Sequence, residues 1–309
     1  MLANDARIVA ILGPTCTGKS DLAIWLASEL NGEIVNADSM QVYRHFDIGT
    51  AKPGESDLGR VPHHVLNMMQ PDEEFNAAVF KRMADAVIKD IASRDRVPMV
   101  VGGTGLYLRV LFHGLFPVES DPGLRERLRA QYAERPAETF EELKARDAEY
   151  AANIGRKDKT RVVRALEISY LSGLTMSEWR KRHGFREQRY QALRLGLRVE
   201  RKELYRRIDE RVERMLAAGW VEEVRALLSA GWDAGLKPFQ SIGYREIVLY
   251  LRGVYGYEEM VEQIKTATRR YAKRQMTWFA REQGIEWYEY PDQRDLILER
   301  TRRFLIDGA

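Results

Sequence analysis

One cysteine in 309 residues, Cys16, leaves no partner for an internal disulfide and no set of thiolates for a zinc centre. That usage fits a reducing compartment. No apolar run approaches the roughly 20 residues a membrane span needs. The N-terminal MLANDARIVAIL has neither a basic start nor a long apolar stretch, so no signal peptide is expected and the chain is expected to be cytoplasmic. There are no repeats, no low-complexity tract and no long linker. Net charge is small, +3, so any affinity for a polyanion must come from local clusters of basic residues. What remains is ordinary globular composition, 45% hydrophobic and 31% charged, enough for a large core divided into about two domains.

The most specific local signal is GPTCTGKS, comprising Gly13, Pro14, Thr15, Cys16, Thr17, Gly18, Lys19 and Ser20. An apolar run at 8–12 precedes it and helical spacing follows in DLAIWLASEL, the context a GxxxxGK[ST] loop requires. Such a loop surrounds phosphate oxygens with backbone N–H groups and the start of a helix. Lys19 supplies a positive charge, and Ser20 is suited to ligate Mg²⁺. The loop identifies a phosphate site without saying which bond is broken there.

GEIVNAD and residues 99–101 read as further strands, alternating with helices at FNAAVFKRMADAVIKDIAS and from 106 onward. This alternation predicts an α/β fold with a parallel sheet of the phosphate-loop NTPase type. From 117 to 192 the pattern becomes helical and charged, so a helical insertion is expected there, with 1–116 and 193–309 forming the core. Residues 193–199 return as a strand. Long helices are expected over 202–228 and 257–281, then a strand at IEWYEY and a closing helix at 295–306.

Strand ends are where such sheets bind ligands. Asp38 closes the second strand and opens DSMQVYR. It can serve as a Mg²⁺ ligand, as a general base near phosphate or as the cap of the next turn, and the motif leaves the first two open. Thr104, in VGGTGLY, either donates to a phosphate oxygen or caps the following helix. Arg207, Arg211 and Arg214 share one helical face, and most of that face reads as solvated and paired with acids, with one inward arginine left to clamp phosphate. Lys157, Arg161 and Arg164 show similar spacing. A second basic run holds Arg180, Lys181, Arg182, Arg186 and Arg189. A third, TRRYAKRQMTWFAR, interleaves Arg269, Arg270, Lys273, Arg274 and Arg281 with Tyr271 and Trp278. Basic groups beside aromatics suit an RNA backbone and unstacked bases, although a charge run is commonly just a solvated face. His63 and His64 lack companions at metal-site spacing and read as turn or packing residues. Cys16 reads as a small residue that fits the loop.

GPTCTGKS, DSMQVYR, DIGTAKP, VGGTGLY, TRVVRALE, QSIGYRE and YAKRQMTW occur in the order found in bacterial tRNA dimethylallyltransferases, and the chain resembles that family over nearly its whole length. The resemblance implies transfer of a dimethylallyl group from its diphosphate to N6 of adenosine 37, beside the anticodon, in tRNAs that read codons beginning with U. It makes Asp38 the base and places Thr104 and Arg211 at the diphosphate, which the phosphate loop holds with Mg²⁺. It sets Asp38, Ser39, Met40, Gln41, Thr104, Arg125, Thr160, Arg161, Val162, Val163 and Arg164 against the tRNA anticodon stem-loop. A monomer without membrane attachment is expected. The departures are small: Cys16–Thr17 stands where many relatives have Ala–Ser, and no zinc-finger extension of the kind eukaryotic relatives carry is expected. Three other functions use the same loop: a nucleotide kinase, a transferase that prenylates free AMP or ATP, and an RNA-binding nucleotide switch.

Overall fold

The computed structural model describes residues 6–185 and 187–307. Arg186, one of the second basic run, lies outside them. Contacts divide the chain into two compact units, Met1–Phe112 with Gln188–Ala309, and His113–Glu187.

The first unit is an α/β layer structure on a six-stranded, all-parallel sheet. Its strands are β1 (Arg7–Leu12), β2 (Gly32–Asn36), β3 (His63–His64), β4 (Val97–Gly102), β5 (Gln191–Arg198) and β6 (Ile285–Glu289), in the order β3-β2-β4-β1-β5-β6. β1 is central and apolar without alternation, because both faces of a parallel sheet are covered. Val9 and Ile11 pack on one side with Leu22, Leu26, Met99 and Leu195. Ile8, Ala10 and Leu12 pack on the other with Val35, Val100 and Leu111. Leu12 is in register with Gly102 of β4 and Gly196 of β5, so the segments after β1 and β4 leave the sheet at the same edge. Asp38 joins them there, since Ala37 N–H still donates to Val101 O at 2.7 Å.

The helix expected over 202–228 is two, Arg201–Ala217 and Trp220–Ser229. Gly219, at φ 95°, stands at the break in a conformation other residues avoid. Tyr244–Leu251 is a further helix, beyond those expected. The helix expected from 257 is Tyr257–Phe279, which runs antiparallel to Arg201–Ala217: Arg269 bonds Asp209 at 2.8 Å and Lys265 bonds Glu213 at 2.8 Å.

The second unit is wholly helical among the described residues: Pro122–Glu134, Pro136–Arg146, Ala148–Ala151, Lys159–Ser172 and Met176–His183. Two begin with proline at the first turn, where its missing N–H costs nothing. Thr175 and Glu178 form a capping box. Leu128, Phe140, Leu143, Val162, Val163 and Leu166 form the core. Inside it lies Glu167, fully buried. It accepts from Ser120 Oγ at 2.7 Å, Arg164 Nη1 at 2.9 Å and Arg125 Nε and Nη2 at 3.1 Å. Burial alone would raise its carboxyl; the bonds from Arg164, Ser120 and Arg125 outweigh that and hold it below the ordinary value.

Candidate active site

The phosphate loop is shaped by three unusual backbone positions. Gly13 has φ 140°, and a Cβ there would lie 2.7 Å from Leu197 O on β5. Cys16 and Gly18 have φ 65° and 87°. Thr17, fully buried, donates from Oγ1 to Pro14 O at 2.9 Å and closes the turn. The helix Lys19–Glu29 starts with Gly18 as N-cap and no side-chain cap, so its first N–H groups have no side-chain acceptor. Unsatisfied N–H groups at a helix start form an anion site. Lys19 Nζ donates to Pro14 O at 2.5 Å.

Burial, then the positive charge of Arg211, lowers the Lys19 pKa to about 8. Below about pH 8 the ammonium is present before any phosphate-bearing ligand arrives; above it, such a ligand must draw a proton back. Affinity for a ligand of that kind is expected to weaken as pH rises from 8 to 10, by at most about tenfold per unit. Calorimetry in buffers of different ionisation enthalpy should show uptake approaching one proton at pH 9 and little at pH 7.

Beyond the loop lies a cavity of about 340 Å³, lined by Thr15, Asp38, Arg211, Met215, Trp220 and Tyr271, among others. Of the three arginines on one face, Arg211 is the inward one: its Nη1 lies 3.3 Å from Thr15 Oγ1 and 3.8 Å from Cys16 Sγ. Arg207 is bonded to Glu203, and Arg214 is exposed. Asp38 Oδ1 accepts from Met40 N at 2.8 Å and Gln41 N at 3.3 Å, so the residue does cap the next turn. It also lines the cavity together with Ser39 and Met40. Gln41 turns to other work, donating to Thr50 O at 2.9 Å and Ala51 O at 3.1 Å and so fixing the DIGTAKP loop. Burial, then the charge of Asp38, drives the Tyr271 hydroxyl far above its ordinary pKa, which keeps it protonated as a donor.

Thr104 Oγ1 is buried with no partner in hydrogen-bond geometry; Tyr271 is its polar neighbour. A buried hydroxyl without a partner is costly and points to a ligand that supplies one. Its loop is tied to the phosphate loop by Gln275, which sequence reasoning did not single out. Gln275 Oε1 accepts from Thr15 N, and its Nε2 donates to Gly103 O, both at 2.9 Å. A Cβ on Gly103 would overlap that amide, so a larger residue there would push the Gln275 link aside. The available signal was a polar residue on the inward stripe that also contains Ile264, Ala272 and Phe279.

In the second unit, Thr160 and Arg161 are exposed, while Val162 and Val163 are in the core and present no side chain to a partner. Arg125 and Arg164 are tied to Glu167. Lys157 does not share a helical face with the other two: it lies in the turn before Asp158, whose side chain caps the helix Lys159–Ser172. Lys181 pairs with Glu149, and Arg180 lies over the Tyr150 ring. In the first unit Arg189 bonds Asp85 and Arg269 bonds Asp209, whereas Arg274 lines the cavity. Arg270, Lys273 and Arg281 are exposed. His64 bonds the buried Glu33, and His63 bonds Val61 O. No group of three or more His, Cys, Asp or Glu able to hold a metal occurs among the described residues, and no helix there is long and apolar enough to cross a membrane.

A glycine loop between a central parallel strand and a helix, with cations, a carboxylate and a cavity of mixed lining in front, defines a phosphate-loop α/β protein. The IPP transferase family model matches residues 41–282. The chain is 51% identical to tRNA dimethylallyltransferase 1 of Citrifermentans bemidjiense, over 97% of each chain. It is 46% identical to the tRNA dimethylallyltransferase of Geobacter sulfurreducens, again over 97% of each. The full-length tRNA isopentenylpyrophosphate transferase of Bacillus halodurans superposes with a TM-score of 0.72 at 35% identity, covering 96% of both chains. A eukaryotic dimethylallyltransferase acting on tRNA superposes at 0.80 with 31% identity, covering 98% of this chain and 79% of that one. The chain belongs to the IPP transferase family.

Proposed function

We infer that the chain transfers a dimethylallyl group from dimethylallyl diphosphate to N6 of adenosine 37 in tRNAs reading codons that begin with U, releasing diphosphate. One observation carries the reading beyond family membership. Thr15 and Arg211 on the phosphate side, and the carboxylate of Asp38, open into one cavity whose wall also includes the apolar side chains of Ile208, Val212, Met215, Trp220 and Ile242. A prenyl chain needs apolar side chains of this kind beside its diphosphate.

The bond broken is between C1 of the prenyl group and the diphosphate oxygen, and the bond formed joins C1 to N6. The phosphate loop, Lys19 and Arg211 hold the leaving group and absorb its developing charge. Thr104 Oγ1 donates to a diphosphate oxygen, which gives its orphan hydroxyl a partner. The adenine amine is a weak nucleophile because its lone pair is delocalised, so Asp38 accepts the N6 proton as the C–N bond forms. With Oδ1 held by the turn, Oδ2 is the oxygen that takes it. The donor set fits Mg²⁺ only as an ion carried by the diphosphate: Ser20 supplies one hydroxyl beside Lys19, and no acidic cluster stands ready among the described residues. When bound, such an ion further neutralises the departing diphosphate. Target adenine must leave its stack, which costs less in an anticodon loop than in a duplex.

Purified protein, Mg²⁺ and labelled dimethylallyl diphosphate, incubated separately with tRNA, AMP and ATP, test the reading. Label in tRNA at adenosine 37 supports it; label in AMP or ATP, or phosphoryl transfer instead, overturns it.

The helical unit is proposed to grip the anticodon stem-loop through its exposed cations. Lys157 and Arg161 are the candidates: Arg164 is held by the buried Glu167, whereas the pair of Arg161 with Asp158, at 3.4 Å, lies at the surface. Each phosphate contact to single-stranded RNA adds about −0.7 to the slope of log K against log salt, so replacing both with Ala should flatten it by roughly 1.4. Filter binding across a salt series checks this. Parallel lines of equal affinity would mean this face does not hold tRNA.

A further inference from the structure

Two motifs, DIGTAKP and QSIGYRE, have no part in the chemistry above, yet both press on one side chain, Trp220. A Cβ at Gly49 would overlap the indole at its Nε1 end, and one at Gly243 would overlap the benzo ring. Gly243 has φ 89°, so neither space nor backbone admits another residue there. The Tyr244 ring meets the indole edge-on, with centroids 5.6 Å apart. Glu223, one turn along the same helix, anchors both segments. It accepts from Asp47 N at 3.0 Å, Ile48 N at 2.7 Å and Tyr244 Oη at 2.5 Å. Trp220 is 2% exposed, and its Nε1 has no hydrogen-bond partner, so packing alone holds the ring against this wall.

Trp220 brings this wall to the cavity, which it lines. Along the helix Arg201–Ala217, Arg211 marks the phosphate end beside Thr15. Met215, four residues on and so about 6 Å further along the axis, lines the cavity with Trp220 and Ile242. We propose that Trp220 is the residue that limits the donor to a five-carbon chain, a stop made rigid by the Gly49 and Gly243 backbones behind it. A second isoprene unit adds four chain carbons, on the order of 5 Å at about 1.5 Å per bond. Reaching past Trp220 would require the indole to move, and Gly49 and Gly243 leave it no space to retreat.

The proposal rests on the prenyl-transfer reading, and its test separates the two. Wild type, Trp220→Ala, Trp220→Leu and Met215→Ala are assayed for transfer to tRNA from dimethylallyl diphosphate and from geranyl diphosphate. Thermal unfolding accompanies each assay. Transfer of neither chain by wild type would sink the prenyl-transfer reading. With dimethylallyl transfer present, wild type should use the geranyl donor at least about 100-fold less well in kcat/KM, and the shortened Trp220 variants should raise the geranyl-to-dimethylallyl ratio by about tenfold or more. Trp220→Leu keeps a branched apolar side chain for the core and decides the matter if alanine costs the fold. Met215→Ala, which enlarges the same end without touching the wall, should raise the ratio less. Efficient geranyl transfer by wild type, or an unchanged ratio in a folded Trp220 variant, would overturn the assignment.

Discussion

Asp38→Asn is expected to bind tRNA as the wild type does and to transfer the dimethylallyl group about 10²–10⁴ times more slowly. Asparagine keeps the size of the side chain and an oxygen for the N–H groups of Met40 and Gln41, so the turn survives. What it loses is the second carboxylate oxygen and the ability to take a proton. Single-turnover rates with saturating donor and tRNA isolate the chemical step. A rate within a few-fold of wild type would remove Asp38 as the base and leave it the capping role alone.

Lys19→Ala is expected to have the next largest effect, slowing transfer by about 10²–10³-fold, the scale of removing one preorganised group that stabilises developing charge. Donor affinity should fall with it, whereas tRNA affinity should hold. The variant also separates causes in the pH experiment. If the weakening of donor binding above pH 8 comes from the desolvated lysine beside Arg211, the variant's donor affinity should be flat over that range. A slope that persists must arise from another group. Donor binding and turnover that both survive the substitution would place the donor elsewhere.

The parallel sheet and the phosphate loop were legible because their information is local and contiguous. β1 is apolar without a break from Ile8 to Leu12, and the eight residues after it specify a turn with little help from elsewhere. Arg211 was only half legible. Spacing puts Arg207, Arg211 and Arg214 on one face, but which one points inward depends on Thr15, about 200 residues away in sequence, and on Glu203 drawing Arg207 aside. Spacing misled at Lys157, where the period was carried through Asp158, a capping residue that marks a helix start. It also passed through Gly219, whose left-handed backbone breaks one expected helix into two. Arg125 and Arg164 look like free cations in sequence. Only the burial of Glu167 shows that they neutralise an internal carboxylate, so loss of either leaves that charge under-compensated. Their substitution therefore carries a stability cost that a tRNA-binding assay alone would misread as lost contact.

Gln275 has a temporal consequence. The amide that links Thr15 to Gly103 comes from a helix 260 positions later in the chain than the phosphate loop it steadies. A ribosome has made most of the sheet, both glycine loops and the whole helical unit before that helix exists. Until Tyr257–Phe279 docks, the link between the loops and the Arg269–Asp209 tie that helps hold the Arg211 helix are both missing. A nascent chain halted shortly before 257 should thus be able to fold its helical unit while capturing dimethylallyl diphosphate poorly. Competence for the donor would then arrive late in synthesis, with the C-terminal quarter of the polypeptide, although the residues that announce it stand at the start.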